Sequence, residues 1–240
     1  MQKAINFLWA VTIVLAFGFT LFALSNANAD TTKAMEELRK TALMVNGTMC
    51  SGSGSVVEGR SGKLYILTNQ HVCNCGSYKG EIETTMEGGE LIRAKIVKRD
   101  WAVDLCAARV EGKRPSLKVG TELLPFTEVN TRGYPHGRLT ESHGQVQGNT
   151  EWDVEFGIEE VGSCPASSQA ERGLNGNVAA CRLHYVSTAT NLFGRPGSSG
   201  SAVVNDEGKL VGVISSWFPG NDYDAGMVPF SAVRQFLSTL

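Results

Sequence analysis

The sequence predicts an all-β protein made of two small antiparallel barrels packed against each other. Three observations carry that expectation. Glycine is frequent, 27 of 240 residues, and helix-like spacing of apolar residues is scarce. Short apolar runs bounded by turn residues recur along the chain. Those runs fall into two sets, joined by a polar stretch from Glu111 to Val119 with one proline and no clear period. Many short strands in two such runs suggest barrel architecture, in which strand edges are hidden. Hydrophobic residues make up 42% of the chain, enough to bury a core and too many for disorder. The net charge of −2 and the lack of a basic cluster argue against a nucleic-acid partner.

The first 29 residues differ from the rest. Lys3 precedes a charge-free stretch from Ala4 to Ala29, and Ile5 to Leu24 is mostly apolar. Ala27-Asn28-Ala29 has the small-x-small form of a signal-peptidase site. An export signal over 1–29 is expected, leaving 30–240 as the mature, periplasmic or secreted domain. The alternative is a retained membrane anchor over 5–24, since the run is close to spanning length. Membrane contact is expected only in that case.

From Asp30 to Val45, Ala34, Leu38, Ala42 and Val45 recur at helical spacing, with Thr31 or Thr32 as cap. A short N-terminal helix is expected there. Strand spacing begins at Ser51. Gly52 to Val57 and Lys63 to Thr68 flank the turn Gly59-Arg60-Ser61-Gly62, a hairpin followed at once by Asn69-Gln70-His71-Val72. Glu81 to Met86 and Leu91 to Lys98, split by Gly88-Gly89, give a second hairpin. Val103 to Val110 reads as a further strand that includes Asp104. This first barrel spans about 46–112.

The second barrel spans about 122–230. Gly133-Tyr134-Pro135-His136-Gly137 is turn-rich, and Ser142 to Gln147 follows as a strand. Ser163 to Asn177 reads as a long loop. Leu183 to Ala189 is a strand. Ala202 to Val204 and Lys209 to Ser216 form a hairpin about Asn205-Asp206-Glu207-Gly208. Gly226 to Pro229 is a last short strand. Val233, Phe236 and Leu237 share one face of a C-terminal helix over Phe230 to Leu240.

All six cysteines follow the export segment: Cys50, Cys73, Cys75, Cys106, Cys164 and Cys181. An even count in an oxidising compartment suggests disulfides. Cys164 and Cys181 are the only two in the C-terminal half and would pair. Cys50, Cys73, Cys75 and Cys106 would then share two bonds. The competing use is a zinc site on Cys73-x-Cys75, but the spacing fits no common zinc pattern. No metal or other cofactor is expected.

The stretch that carries chemistry is Gly194-Arg195-Pro196-Gly197-Ser198-Ser199-Gly200-Ser201. A nucleophile needs a sharp turn that lifts its side chain out of the sheet, and flanking glycines permit one. They also free the N–H groups of Gly197 and Ser199 to point at one spot, where an oxyanion could form. A serine hydroxyl is a poor nucleophile without an adjacent base, and the base needs an orienting acid. Among the four histidines, only His71 comes directly after a strongly apolar strand at a point where the chain turns. Asp104 heads an apolar run, with Asp100 as the second candidate acid.

These stretches resemble the chymotrypsin-fold serine proteases, and most closely the HtrA-type bacterial endopeptidases. Leu67-Thr68-Asn69-Gln70-His71-Val72 resembles the family's histidine motif. Val103-Asp104-Leu105, with Ala107 and Val110, resembles its aspartate strand. Gly133-Tyr134-Pro135 resembles a turn early in its second barrel. Gly197-Ser198-Ser199-Gly200-Ser201-Ala202 resembles its nucleophile motif, and Gly208 to Ile214 the strand that follows. The resemblance covers roughly Gly52 to the C-terminus. It implies two packed six-stranded antiparallel β-barrels with a short N-terminal and a C-terminal helix, and a polypeptide substrate. It implies Ser199 as nucleophile, His71 as general base, Asp104 as orienting acid, and the N–H groups of Gly197 and Ser199 as oxyanion hole.

Where digestive-type relatives have an aspartate before the nucleophile, this sequence has Ser198. It also lacks the activation cut site that such an aspartate serves, so no zymogen switch of that type is expected. No PDZ-like stretch follows the last strand, so peptide sensing by such a domain is not implied. The resemblance lines the primary pocket with Phe193, Ser216, Trp217, Phe218 and Gly226. An acidic floor would select Lys or Arg; Phe193 predicts an apolar or small residue before the cut instead. Two alternatives stand beside the endopeptidase: a catalytically silent binding or inhibitory protein on the same fold, and a narrow protease that processes itself or one partner.

Overall fold

The structure, a computed structural model, describes residues 32–47, 50–157, 169–172, 177–217 and 220–240. The expected export signal over 1–29 lies outside the described residues. Among the described residues no helix is long and apolar enough to cross a membrane.

Residues 32–41 form a helix, α1. The first barrel follows: β1 (Ala42–Asn46), β2 (Ser51–Glu58), β3 (Leu64–Thr68), helix α2 (Gln70–Gly76), β4 (Ser77–Tyr78), β5 (Glu81–Met86), β6 (Leu91–Asp100) and β7 (Leu105–Val110). The strand order is β1-β2-β3-β7-β6-β5-β4, and β1 also pairs with β5. Six strands thus close on themselves, with β4 appended.

The second barrel comprises β8 (Glu128–Gly133), β9 (Thr140–Gly157), β10 (Gln169–Arg172), β11 (Val178–Thr190), β12 (Ala202–Val204), β13 (Leu210–Trp217) and β14 (Ala225–Val228). Its order is β10-β11-β14-β13-β12-β8-β9, closed by β11 on β9, with β10 appended. Helix α3 (Phe230–Leu237) ends the chain. The polar connection is sewn to both barrels. Leu117 N–H donates to Val56 O at 2.9 Å, and Gly120 N–H to Leu210 O at 2.8 Å.

Each barrel has its own apolar interior. The first contains Leu43, Val56, Ile66, Ile82 and Ala108. The second contains Val129, Leu192, Val203, Ile214 and Met227. A third core fills the space between them. Leu67 and Leu105 of one barrel meet Val204 and Val213 of the other, with Leu38 of α1 and Val233 and Phe236 of α3. Both helices therefore help hold the barrels together. Each fully buried side chain of this size contributes about 1.5–3 kcal/mol, so this third core fixes one barrel against the other.

Four expectations are corrected. The N-terminal helix ends at 41, because Leu43 and Val45 turn into the first barrel and β1 is the strand that closes it. Pairing on both edges outweighs helical spacing. Asp104 does not lie in a strand. It ends a turn over 101–104, and β7 starts at Leu105. Strands β9 and β11 run well beyond the short segments expected, pairing from Thr190 against Val146 to Ala180 against Gly157. Finally, the Ser163–Asn177 segment, expected as a loop, contains β10, while 163–168 and 173–176 lie outside the described residues.

Candidate active site

Two segments of the first barrel bring His71 and Asp104 together. His71 sits in the first turn of α2, directly after β3. Asp104 is fully buried and has φ of +51°. Aspartate tolerates this left-handed conformation better than most residues. The turn is held by its neighbours: Asn69 Nδ2 donates to Asp104 O at 2.9 Å, and Gln70 N–H donates to the same oxygen at 3.2 Å.

The Asp104 carboxylate accepts twice from His71. The His71 backbone N–H reaches Oδ1 at 3.0 Å, and ring Nδ1 lies 2.8 Å from Oδ2. A carboxylate only accepts, so Nδ1 carries the proton and Nε2 is left with a lone pair. The imidazole is about a quarter exposed, its partner not at all. A buried acid thus orients a partly exposed base.

The serine turn comes from the second barrel and leans on the first. Gly197 and Gly200 have φ of +97° and +90°, values glycine adopts without strain. A Cβ on Gly200 would fall 1.9 Å from Ser53 O, so a side chain has no room there. Ser53 N–H donates to Ser199 O at 2.7 Å. Gly52, next to it, is wedged between the segments that carry His71 and Ser199. A Cβ there would lie 2.7 Å from Val72 Cγ1 and 3.1 Å from Ser199 O.

The turn is closed on itself. Ser198 N–H donates to Arg195 O at 2.8 Å, and Arg195 N–H to Ser198 Oγ at 3.1 Å. Among the described residues nothing accepts the N–H of Gly197 or of Ser199. These are the two donors singled out in the sequence. Two free N–H groups on a fixed turn can stabilise a developing oxyanion.

The expected pocket residues are more scattered. Ser216 and Gly226 are register partners across β13 and β14. Phe193 is half-buried and packs edge-on against Tyr223, with ring centroids 5.7 Å apart. Its N–H donates to Ser142 Oγ. Trp217 is the last residue of β13, and Phe218 lies outside the described residues. Asp222 was not anticipated. Its carboxylate pairs with Arg195, and its carbonyl accepts Gly194 N–H at 2.8 Å, tying the serine turn to the segment after β13.

Cys73 and Cys106 form a disulfide, with Cα atoms 6.4 Å apart. Cys50 and Cys181 are also disulfide-bonded. Cys164 lies outside the described residues, and Cys75 is in α2. Among the described residues no cluster of His, Cys, Asp or Glu could hold a metal ion.

A family model described as a trypsin-like peptidase domain matches residues 52–213. The chain is 25% identical over 167 residues to the serine protease Do-like HtrA of Lactococcus lactis subsp. lactis, covering 69% of this chain and 36% of that protein. It is 26% identical over 196 residues to the serine endoprotease DegS of Salmonella typhimurium, covering 79% and 48%. The chain thus spans between about a third and a half of the length of these curated relatives. Among solved structures, the active form of a protease from M. tuberculosis matches with a TM-score of 0.63 at 14% identity, over 88% of this chain and 85% of that one. A serine endoprotease from Yersinia pestis matches at 0.59 and 19%, over 85% and 64%. These structural likenesses show the shared fold. With a family model that matches residues 52–213 and so reaches into both barrels, the chain belongs to the trypsin-like peptidase domain family.

Proposed function

We propose that this chain is an exported serine endopeptidase that cuts polypeptides through an acyl-enzyme. Ser199 attacks the peptide carbonyl while His71 Nε2 takes the hydroxyl proton and later gives it to the leaving amine. Asp104 keeps the other ring nitrogen protonated and stabilises the imidazolium. The N–H groups of Gly197 and Ser199 receive the oxyanion, each contributing on the order of 3 kcal/mol to the barrier reduction. The observation that carries this reading is the buried Asp104 carboxylate 2.8 Å from His71 Nδ1. A charge so buried costs several kcal/mol unless it is paired, and here its ring partner is partly exposed.

Export is supported by the Cys73–Cys106 disulfide, since such bonds persist in oxidising compartments. The Ser198–Arg195 hydrogen bonds brace the serine turn with its own residues, which supports a protease that needs no newly cut N-terminus. An apolar or small residue before the cut follows from Phe193. Dominant cutting of a peptide library after Lys or Arg would refute that preference.

Ser199→Ala should abolish both hydrolysis of a denatured protein and labelling by a fluorophosphonate. A variant with full activity would remove Ser199 from the mechanism.

A further inference from the structure

The serine turn has three successive carbonyls, and each is tied down by a different donor. Pro196 O accepts from His136 N–H at 2.9 Å, and Ser198 O from Ser201 N–H at 3.0 Å. Gly197 O accepts from the Ser53 hydroxyl at 2.7 Å. In a trans peptide the C=O and the following N–H point opposite ways. Holding Pro196 O and Ser198 O therefore aims the Gly197 and Ser199 N–H groups away from those anchors.

Gly197 is the weak point of this arrangement. Glycine restrains neither of its adjoining peptide planes, so those planes must be fixed from outside. Ser53 reaches both. Its hydroxyl donates to Gly197 O and accepts Tyr134 N–H at 2.9 Å. Tyr134 leads into the His136 N–H that fixes the plane on the other side of Gly197. Ser53 is fully buried, and its carbonyl accepts Thr68 Oγ1 at 2.6 Å. A Cβ on Gly133 would come within 2.8 Å of its hydroxyl.

We propose that the Ser53 hydroxyl is a positioning residue for the oxyanion hole. It holds the peptide planes on both sides of Gly197 so that the Gly197 N–H stays aimed at the reacting carbonyl. The proposal rests on reading Ser199 as the nucleophile. Ser53 itself touches neither substrate nor the reacting atoms. Its two main-chain hydrogen bonds survive in alanine, so Ser53→Ala removes the hydroxyl's work alone.

The test compares wild type, Ser53→Ala and Ser53→Thr on one peptide substrate. Alongside it run a peptidyl trifluoromethyl ketone, whose adduct places an oxyanion in the hole, and the same peptide with its scissile carbonyl reduced to methylene. In the alanine variant kcat should fall roughly 10- to 100-fold with KM within about twofold. Affinity for the ketone should fall in parallel, while affinity for the reduced peptide holds. Threonine, which keeps the hydroxyl, should recover most of kcat. An alanine variant with wild-type kcat would overturn the proposal. So would equal losses for ketone and reduced peptide, a threonine variant as slow as alanine, or loss of the cooperative thermal transition in the alanine variant. Wild-type protein that takes no fluorophosphonate on Ser199 would instead sink the parent reading.

Discussion

Cys73 and Cys106 are joined by a disulfide, and each lies two residues beyond a partner in the His71–Asp104 hydrogen bond. Cys73 is on α2 with His71, and Cys106 is on β7 just after the Asp104 turn. Both cysteines are fully buried in the first barrel. The covalent link and the hydrogen bond therefore clamp the same two segments side by side.

That clamp predicts a joint loss of stability and turnover. The bond spans 33 residues of sequence, and a loop of that size is worth on the order of 3 to 4 kcal/mol in the chain-entropy view. Cys73→Ala combined with Cys106→Ala should lower stability by about that amount in urea unfolding. kcat should also fall under conditions where the variant is still folded. Lower stability with unchanged kcat would show that the bond staples the barrel without aligning the pair.

Asp104→Asn keeps the shape of the acid and changes what it can accept. The carboxylate now faces two His71 donors, the backbone N–H and Nδ1. An amide has one oxygen, so its NH2 group would face one of them. If the oxygen stays on the backbone N–H, the amide donates to Nδ1 and moves the ring proton to Nε2, where the base is needed. kcat should fall about 10⁴-fold, with the fold intact by circular dichroism. A loss under tenfold would argue against His71 acting as the base.

Gly197→Ala tests the turn itself. The added methyl would lie 2.7 Å from Tyr134 O and 2.9 Å from His136 N, at a φ of +97°. Backbone strain alone costs on the order of 1 to 3 kcal/mol, and relieving the contact must shift the Gly197 N–H. The variant should lose at least about 100-fold in kcat, as for loss of one oxyanion donor, and melt at a lower temperature. Unimpaired turnover would mean that Gly197 supplies no donor.

The strand ladder of the first barrel and the serine turn were legible in the sequence for a shared reason: both are local. Leu64 to Thr68 announces a strand, and a glycine-flanked serine announces a turn, without help from distant residues. What was missed depends on contact between distant segments. Nothing in Gly52-Ser53-Gly54-Ser55 distinguishes Ser53 from Ser55, because its role comes from Tyr134 and Gly197, 81 and 144 residues away. The left-handed Asp104 hides inside an apolar run that reads as continuous strand. The full length of β9 did leave a signal, since Glu151, Asp153 and Glu155 alternate with Trp152, Val154 and Phe156. The paired residues Arg195 and Asp222 carry no mark of each other across the strands between them.

A last relationship governs how the barrels hold together in acid. Arg132 of β8 is buried, its side chain only 3% exposed, and it bonds both Glu87, in the turn after β5, and Glu141 of β9. Arg39 of α1 adds a forked contact to Glu141 at 3.0 and 3.2 Å. The Arg39 guanidinium, and after it Arg132, holds the Glu141 carboxyl below its ordinary 4.5, against the opposing pull of partial burial. As pH falls past 4.5, the unfolded chain takes up this proton before the folded one does. The stabilisation is therefore present above the unfolded pKa and is lost as pH drops through the lower folded value. Glu141→Gln should cost about 1 to 2 kcal/mol at neutral pH, allowing for partial exposure. The gap between wild type and variant in urea unfolding should shrink steadily below pH 4.5. A gap that stays constant from pH 7 to pH 3 would mean that charge on Glu141 plays no part in joining the helix to the two barrels.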